Sequence, residues 1–484
     1  MNPSELNYQV VGTFEHNERR NNMEQGKKYR QFMAGIIVNL SSWAVGTTLG
    51  WTAPVNPKLN DPNLADTPLN AVPTEDEASW IGSLVALGAV IGPLIAGPLA
   101  NIIGRKWTLL SSTVFFVVSF ILLLTTNTVI QMCIARFLQG LGVGFVMCAQ
   151  PMYIGEIASD EVRGALGSFM QLFIVIGILY VYAIGPYVSY MALQWACMAV
   201  PIVFAGLFFL MPETPAYYCQ KGEKDKARDA LAFLRGKSKE GVMDELSVIQ
   251  TNVDEAMKNK GSIADVFKNK ACVKALIISA GLVSFQQLSG INAVLFYSTD
   301  IFIKAAGDSG GGMDPAVSTI LVGAVMVGAS GITPLVVDRL GRKIILLFSA
   351  GGMAISLVFL GLYFVLDSNQ AAIVSSISWL PIVSLIAFVF VYCVGFGPLP
   401  WAVLGEMFSP EVKSQASTIV ATTCWILGFL VTKYFSAVDA ALGTHWSFWI
   451  FGIFCGAAFM FVTTVMFETK GLTLQQIQNK LNGI

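Results

Sequence analysis

Charge is what this sequence has least of. Lys, Arg, Asp and Glu make up 13% of its 484 residues, against roughly 25% in a soluble domain. Histidine is scarcer still, with only His16 and His445. No Cys-x-x-Cys pair and no Cys/His spacing suited to a metal occurs, so no metal and no cofactor is expected. There is no GxxxxGK[ST] loop for a nucleotide, which removes support for ATP-driven chemistry. No nucleophile–base pair stands out either, so an enzyme is not expected. The near-neutral net charge of −1 offers no basic surface for nucleic acid. The polar start, with Arg19, Arg20, Lys27, Lys28 and Arg30, lacks the apolar core of a cleavable signal peptide.

What the chain does have is hydrophobic residues, at 54%. They are gathered into blocks of about 20, each long enough to cross a hydrocarbon layer of ~30 Å as a helix. Barrel strands would alternate in polarity, and these blocks do not, so an all-α membrane protein is predicted. The spans fall near 32–54, 79–100, 107–126, 129–152, 165–186 and 192–211, then 272–303, 316–337, 344–366, 377–403, 414–436 and 446–467. This gives a tail at 1–31, a six-helix half at 32–211, a polar loop at 212–270, a second half at 271–467 and a tail at 468–484. In the loop, Ala227, Leu231 and Leu234 form one apolar stripe of a short amphipathic helix. Cysteines such as Cys133, Cys148, Cys393, Cys424 and Cys455 lie inside apolar blocks and read as small buried hydrophobes.

Lys and Arg concentrate on the cytoplasmic side of short loops. With both termini inside, only Lys58, Lys304 and Lys433 fall on or near the outer side. Arg105, Lys106, Arg163, Arg339, Arg342, Lys343 and Lys413 then land inside. Both termini are therefore expected in the cytoplasm of a multi-pass cell-membrane protein, with the bilayer as its constant partner. A monomer is expected to suffice for function.

The two halves echo each other. GPLANIIGRK at 97–106 matches PLVVDRLGRK at 334–343, GEIASDEVRG at 155–164 matches GEMFSPEVKS at 405–414, and PET at 212–214 matches FET at 467–469. Three echoes in one order are the mark of a duplicated six-span unit, the plan of alternating-access carriers. Alongside them stand RFLQG (136–140), Pro151 with Tyr153 and Glu156, Arg163-Gly164, Gln171, PETP (212–215), QQLSGIN (286–292), DRLGRK (338–343), GPLPW (397–401) and ETKG (468–471). On these motifs the chain resembles the sugar porter family of the major facilitator superfamily, from about Arg30 to Leu474. Within it, the likeness is greatest to animal glucose transporters and insect facilitated trehalose transporters.

A sugar is neutral and densely hydroxylated, with apolar ring faces, so its site needs side-chain amides and an aromatic surface. Gln286 and Gln287 lie mid-span in the seventh helix. Gly290 follows, in a polar run that suits a discontinuous helix; interhelical hydrogen bonding is the alternative role for these amides. The resemblance implies that Gln171, Gln286, Gln287 and Asn292 contact substrate, with Trp401 beside the site and Thr423 near it. It also implies that Phe296 and Tyr297 close the outer side; core packing is the alternative for these aromatics. Two positions depart from the hexose pattern: Cys393 stands where a glutamate is usual, and Cys424 where an asparagine often precedes a tryptophan.

No Asp or Glu lies deep in any span, and the first span, which carries an aspartate in proton-coupled members, has none. Facilitative uniport of trehalose or a hexose is therefore the expected function. A carrier of a polyol or a non-transporting sugar sensor is the alternative. Arg105, Glu156, Arg163, Asp338, Arg339, Arg342, Glu406 and Lys413 sit at the cytoplasmic turns. The resemblance implies that they form a gating network between the two states, while the positive-inside rule alone would also place such charges there. Asn101, Ile102 and Ala216 replace residues usual in the family, so the N-terminal set is expected to be the weaker.

Overall fold

A computed structural model describes residues 27–482 apart from 62, 64, 65, 259–262, 307–312 and 372, and leaves the side chains of 160, 263, 306, 334, 335, 338, 410 and 411 aside. Most of the predicted tail at 1–31 therefore lies outside the described residues. No strand occurs among them. Twelve of the described helices are long and apolar enough to cross a membrane. The first six are α1 (Tyr29–Leu59), α2 (Glu75–Ile102), α3 (Arg105–Leu124), α4 (Val129–Ile157), α5 (Glu161–Ile184) and α6 (Tyr190–Phe209). The second six are α7 (Lys270–Ala305), α8 (Pro315–Thr333), α9 (Arg342–Ser368), α10 (Val374–Met407), α11 (Val412–Leu442) and α12 (Thr444–Thr464).

Several helices run past their apolar blocks. α4 continues to Ile157 and so carries Glu156 on its last turn, and α11 continues to Leu442. Hydrogen-bonding propensity, not hydropathy, sets where a helix ends, so apolar runs underestimate length. The helix α2 begins in a capping box, with Thr74 and Glu77 each holding the other's backbone N–H, while Glu75, Asp76 and Glu77 favour its positive end.

The three sequence echoes converge in space. At the N-terminus of α3, the Glu213 carboxylate accepts from the backbone N–H of Lys106 at 2.9 Å and of Thr214 at 2.8 Å. At the N-terminus of α9, Glu468 accepts from the N–H groups of Arg342 and Lys343 at 2.9 and 3.0 Å. Each helix start needs a glycine with positive φ, Gly104 and Gly341. A Cβ there would lie 2.1 Å from Glu213 Oε2 and 2.7 Å from Glu468 Oε2. The duplicated Gly-Arg-Lys and Glu-Thr segments are thus two parts of one clasp, built once in each half. The face carrying both clasps, the start of α1 and the end of α12 is called the termini face, and its opposite the far face.

The polar loop is structured too. Ala227, Leu231 and Leu234 are fully buried in the helix Lys224–Arg235. Arg235 ties that helix to the first half through the Ile157 carbonyl at 2.7 Å and to Glu245.

Candidate substrate site and gates

The seventh span is broken where its glycine lies. Its first segment ends at Leu288 and the second starts at Ile291, with Gly290 at φ +84°. Only glycine adopts that conformation cheaply. A Cβ at Gly290 would also fall 2.4 Å from the Phe451 ring.

Around this break, amide side chains join three helices. Asn292 Nδ2 donates to Gln287 Oε1 at 2.5 Å, and Gln287 Nε2 donates to Cys424 Sγ of α11 at 3.1 Å. The Cys424 thiol in turn faces Gln286 Oε1 at 3.9 Å. Gln286 Nε2 donates to the Phe396 and Gly397 carbonyls at 2.7 and 2.8 Å. Those carbonyls lie in the gap between two helical segments of α10, Leu380–Val394 and Leu399–Met407. The reading of Cys424 as a plain hydrophobe is therefore corrected: it lies opposite Gln287, and its sulfur is a weak acceptor. Thr423, half-buried on α11, donates its hydroxyl to the Ile419 carbonyl of its own helix.

Gln171, on α5 in the other half, is half-buried, and its amide makes no hydrogen bond among the described residues. Trp401 is half-buried against a hydrophobic core to which both halves contribute. Phe296 and Tyr297 are buried. Both approach Gly82 of α2, where a Cβ would meet Tyr297 Oη at 3.4 Å and Phe296 at 4.0 Å.

The charged residues of the termini face pair within each half. Arg105 Nε meets Glu156 Oε1 at 2.9 Å, and Arg342 meets Glu406 at 2.9 Å. The second carboxylate oxygen of each takes a threonine hydroxyl, Thr214 at 2.5 Å and Thr469 at 2.6 Å. Arg163 and Lys413 donate to nearby carbonyls of their own halves, Ala158 and Gly405. Arg339 is exposed, its carbonyl accepting from Lys470; the Asp338 side chain lies outside the described ones. A cavity of about 860 Å³ opens beside Arg105, Glu156 and Arg163, bounded by Lys28, Glu161 and Arg235. The paired clasps differ electrostatically. Burial pushes the Glu213 carboxyl above its ordinary range. At Glu468 burial acts in the same direction, but backbone N–H groups of Lys470, Arg342, Lys343 and Thr469 together outweigh it and bring the group below its ordinary value.

Sequence reasoning missed the far face. There, hydrogen bonds run from one half to the other. Lys433 of α11 reaches Asp76 and Ser79 of α2 at 2.5 and 2.7 Å. Asn56 of α1 donates to Asp300 of α7 at 3.0 Å, and Tyr182 of α5 to the Leu295 carbonyl at 2.6 Å. Asp300 also qualifies the statement that no carboxylate lies deep in a span, since it is half-buried at this interface. The signal available was a lone Lys or Asp near the end of an apolar run, which reads as a boundary marker. Only its partner, hundreds of residues away, makes it a contact.

A further buried cation sits within the first half. Arg136 of α4 is fully buried. It donates to the Ile81 and Thr48 carbonyls, to Gln139 Oε1 and to Thr52 Oγ1 at 2.6–3.1 Å. Its guanidinium also lies 4.6 Å from the centre of the Trp51 ring.

Comparison with known proteins bears on this arrangement. The family model described as "Sugar (and other) transporter" matches residues 12–481. The facilitated trehalose transporter Tret1 of Culex quinquefasciatus is 36% identical over 94% of this chain and 86% of its own length. That of Polypedilum vanderplanki is 37% identical over 94% and 88%. The Anopheles gambiae relative is longer, so that the chain spans 56% of it at 37% identity. Among solved structures, the xylose transporter XylE from E. coli in a partially occluded inward open conformation matches with a TM-score of 0.76. The match has 24% identity and covers 92% of this chain and 100% of that one. The proton:xylose symporter XylE bound to 6-bromo-6-deoxy-D-glucose matches with a TM-score of 0.74 at 24% identity, over 94% and 99%.

Proposed function

The chain belongs to the sugar (and other) transporter family, and we propose that it moves trehalose or a hexose down its gradient by alternating access, with no coupled ion. It is a multi-pass membrane protein of the major facilitator fold, and not an enzyme. The proposed site joins Gln171 of the first half to Gln286, Gln287 and Asn292 of the second, with Trp401 as the apolar wall. Side-chain amides both donate and accept, which suits hydroxyl groups of either orientation. Gln171, which makes no hydrogen bond among the described residues, is the amide most open to a ligand.

The observation that carries the uniport reading is Arg136. A proton relay needs a titrating group inside the membrane, and the hydrogen bonds of this buried cation run to neutral oxygens. Asp300 is engaged by Asn56 at the far-face interface, a gating position. The far-face bonds between halves support assigning this structure to the state with that side shut. Under this reading the termini face is cytoplasmic, and a division at 1–31, 32–211, 212–270, 271–467 and 468–484 is proposed. Arg105, Glu156, Arg163, Asp338, Arg339, Arg342, Glu406 and Lys413 then brace each half so that it moves as a unit. The names of the relatives favour trehalose, and Cys393 and Cys424 in place of a hexose-type glutamate and asparagine weigh against glucose.

Uptake of radiolabelled trehalose, glucose, fructose and myo-inositol into expressing cells, with and without a protonophore, tests this. Trehalose uptake indifferent to the protonophore is expected, with Gln171→Ala raising KM. Uptake of myo-inositol alone would move the chain to the polyol reading.

A further inference from the structure

Lys433 is a cation of a membrane-spanning helix that reaches from one half of the molecule into the other. Its side chain is 9% exposed, and its ammonium contacts lie across the interface, on α2. Two of its hydrogens go to Asp76 Oδ1 and Ser79 Oγ, and the Trp80 ring centre lies 4.4 Å away. One turn earlier on α11, Phe429 packs against the same Trp80 at 6.0 Å between ring centres. Asp76 sits in the first turn of α2, where the helix dipole favours its charge.

Separating the halves on this side removes the carboxylate, the hydroxyl and the ring from Lys433 at once. The Asp76 side chain is 76% exposed, so water screens the ion pair and weakens its share. The contact with Trp80 and the burial of the ammonium are screened less, because a desolvated cation gains more from a ring face.

We propose that Lys433 is a gating residue of the transport cycle, a charged clasp that holds the far side shut and sets how often it reopens. The proposal rests on the alternating-access reading but not on the identity of the sugar. Asn56–Asp300 and Tyr182–Leu295 remain to hold the interface when Lys433 is changed, so its loss shifts a balance without dissolving the fold.

The test is cysteine labelling on the full chain in the absence of sugar. Ser83 lies four residues below Ser79 on the same face of α2 and is fully buried, so Ser83→Cys reports on opening. A membrane-impermeant methanethiosulfonate is applied in turn to intact cells and to inside-out vesicles, so that sidedness is read rather than assumed. Labelling is measured as the excess over the parent with Ser83 intact. Lys433→Gln should raise the far-side rate about tenfold, within the usual range of coupling between states. Asp76→Asn, at an exposed position that tolerates change, should raise it by a smaller factor. Lys433→Arg should stay near the parent, because a guanidinium keeps both the charge and the contact with the Trp80 ring. Unchanged rates in Lys433→Gln and Asp76→Asn overturn the proposal. Equal acceleration in Lys433→Gln and Lys433→Arg also overturns it, because that would be general loosening. A wrong choice of sugar alters uptake but none of these rates, which keeps the two readings separable.

Discussion

Gln286 is the natural residue to mutate in search of a sugar contact, and its geometry predicts that the obvious variant will mislead. Its amide gives both hydrogens to the Phe396 and Gly397 carbonyls, at 2.7 and 2.8 Å. Gln286→Ala strips both carbonyls of their donor inside a buried gap in α10. Each orphaned acceptor costs about 1–3 kcal/mol, so about 2–6 kcal/mol in all. Gln287→Ala removes a bond to a thiol, a weak acceptor, and one from Asn292, which is half-buried and open to water. About 1–2 kcal/mol is expected for it. At roughly 2–4 °C per kcal/mol, Gln286→Ala should lower the unfolding midpoint by about 4–24 °C and Gln287→Ala by a few degrees. The assay is thermal unfolding of detergent-purified protein, followed by tryptophan fluorescence at one scan rate. Equal shifts for the two variants, or none for Gln286→Ala, would refute the stapling role. If the difference is found, lost uptake in Gln286→Ala says little about sugar contact, and Gln171→Ala is the cleaner probe. That variant should leave the midpoint in place.

Other perturbations follow from the same structure. Gly290→Ala forces a side chain into a positive-φ position, costing about 1–2 kcal/mol, and drives its Cβ into the Phe451 ring. Folded yield should fall, and adding Phe451→Ala should recover the steric part alone. The two clasps should answer pH in opposite ways. Glu468 sits below its ordinary range, so its contribution is present above the unfolded carboxylate value and is lost as pH falls through the folded one. Glu468→Gln should therefore destabilise at neutral pH, with the difference from the parent vanishing in acid. Glu213 sits above its range, so the contribution from its protonated form is full below the unfolded value and is lost as pH rises through the folded one. Glu213→Gln should be the milder change at neutral pH, as midpoints measured across a pH series would show.

The architecture was legible because hydropathy and duplication are written locally. Apolar blocks marked the twelve spans, and the Gly-Arg-Lys and Glu-Thr echoes marked the duplicated halves. Gly290 announced the break in α7, since a glycine in a polar run of a buried helix has few other uses. The partners of the site were less visible. Gln286 ends on carbonyls, which carry no residue signature, and Cys424 looks like any other thiol in an apolar run. The far-face contacts were hidden for another reason. Lys433 and Asp76 each look like an ordinary helix-end charge, and only the folded arrangement brings their helices together.

The central claim, facilitated movement of a sugar, is tested most directly by radiolabelled trehalose uptake into proteoliposomes of the purified chain under an imposed proton gradient. Trehalose should enter until inside and outside concentrations match, at a rate that either direction of the gradient leaves unchanged. Accumulation above the external concentration, collapsed by a protonophore, would contradict the account.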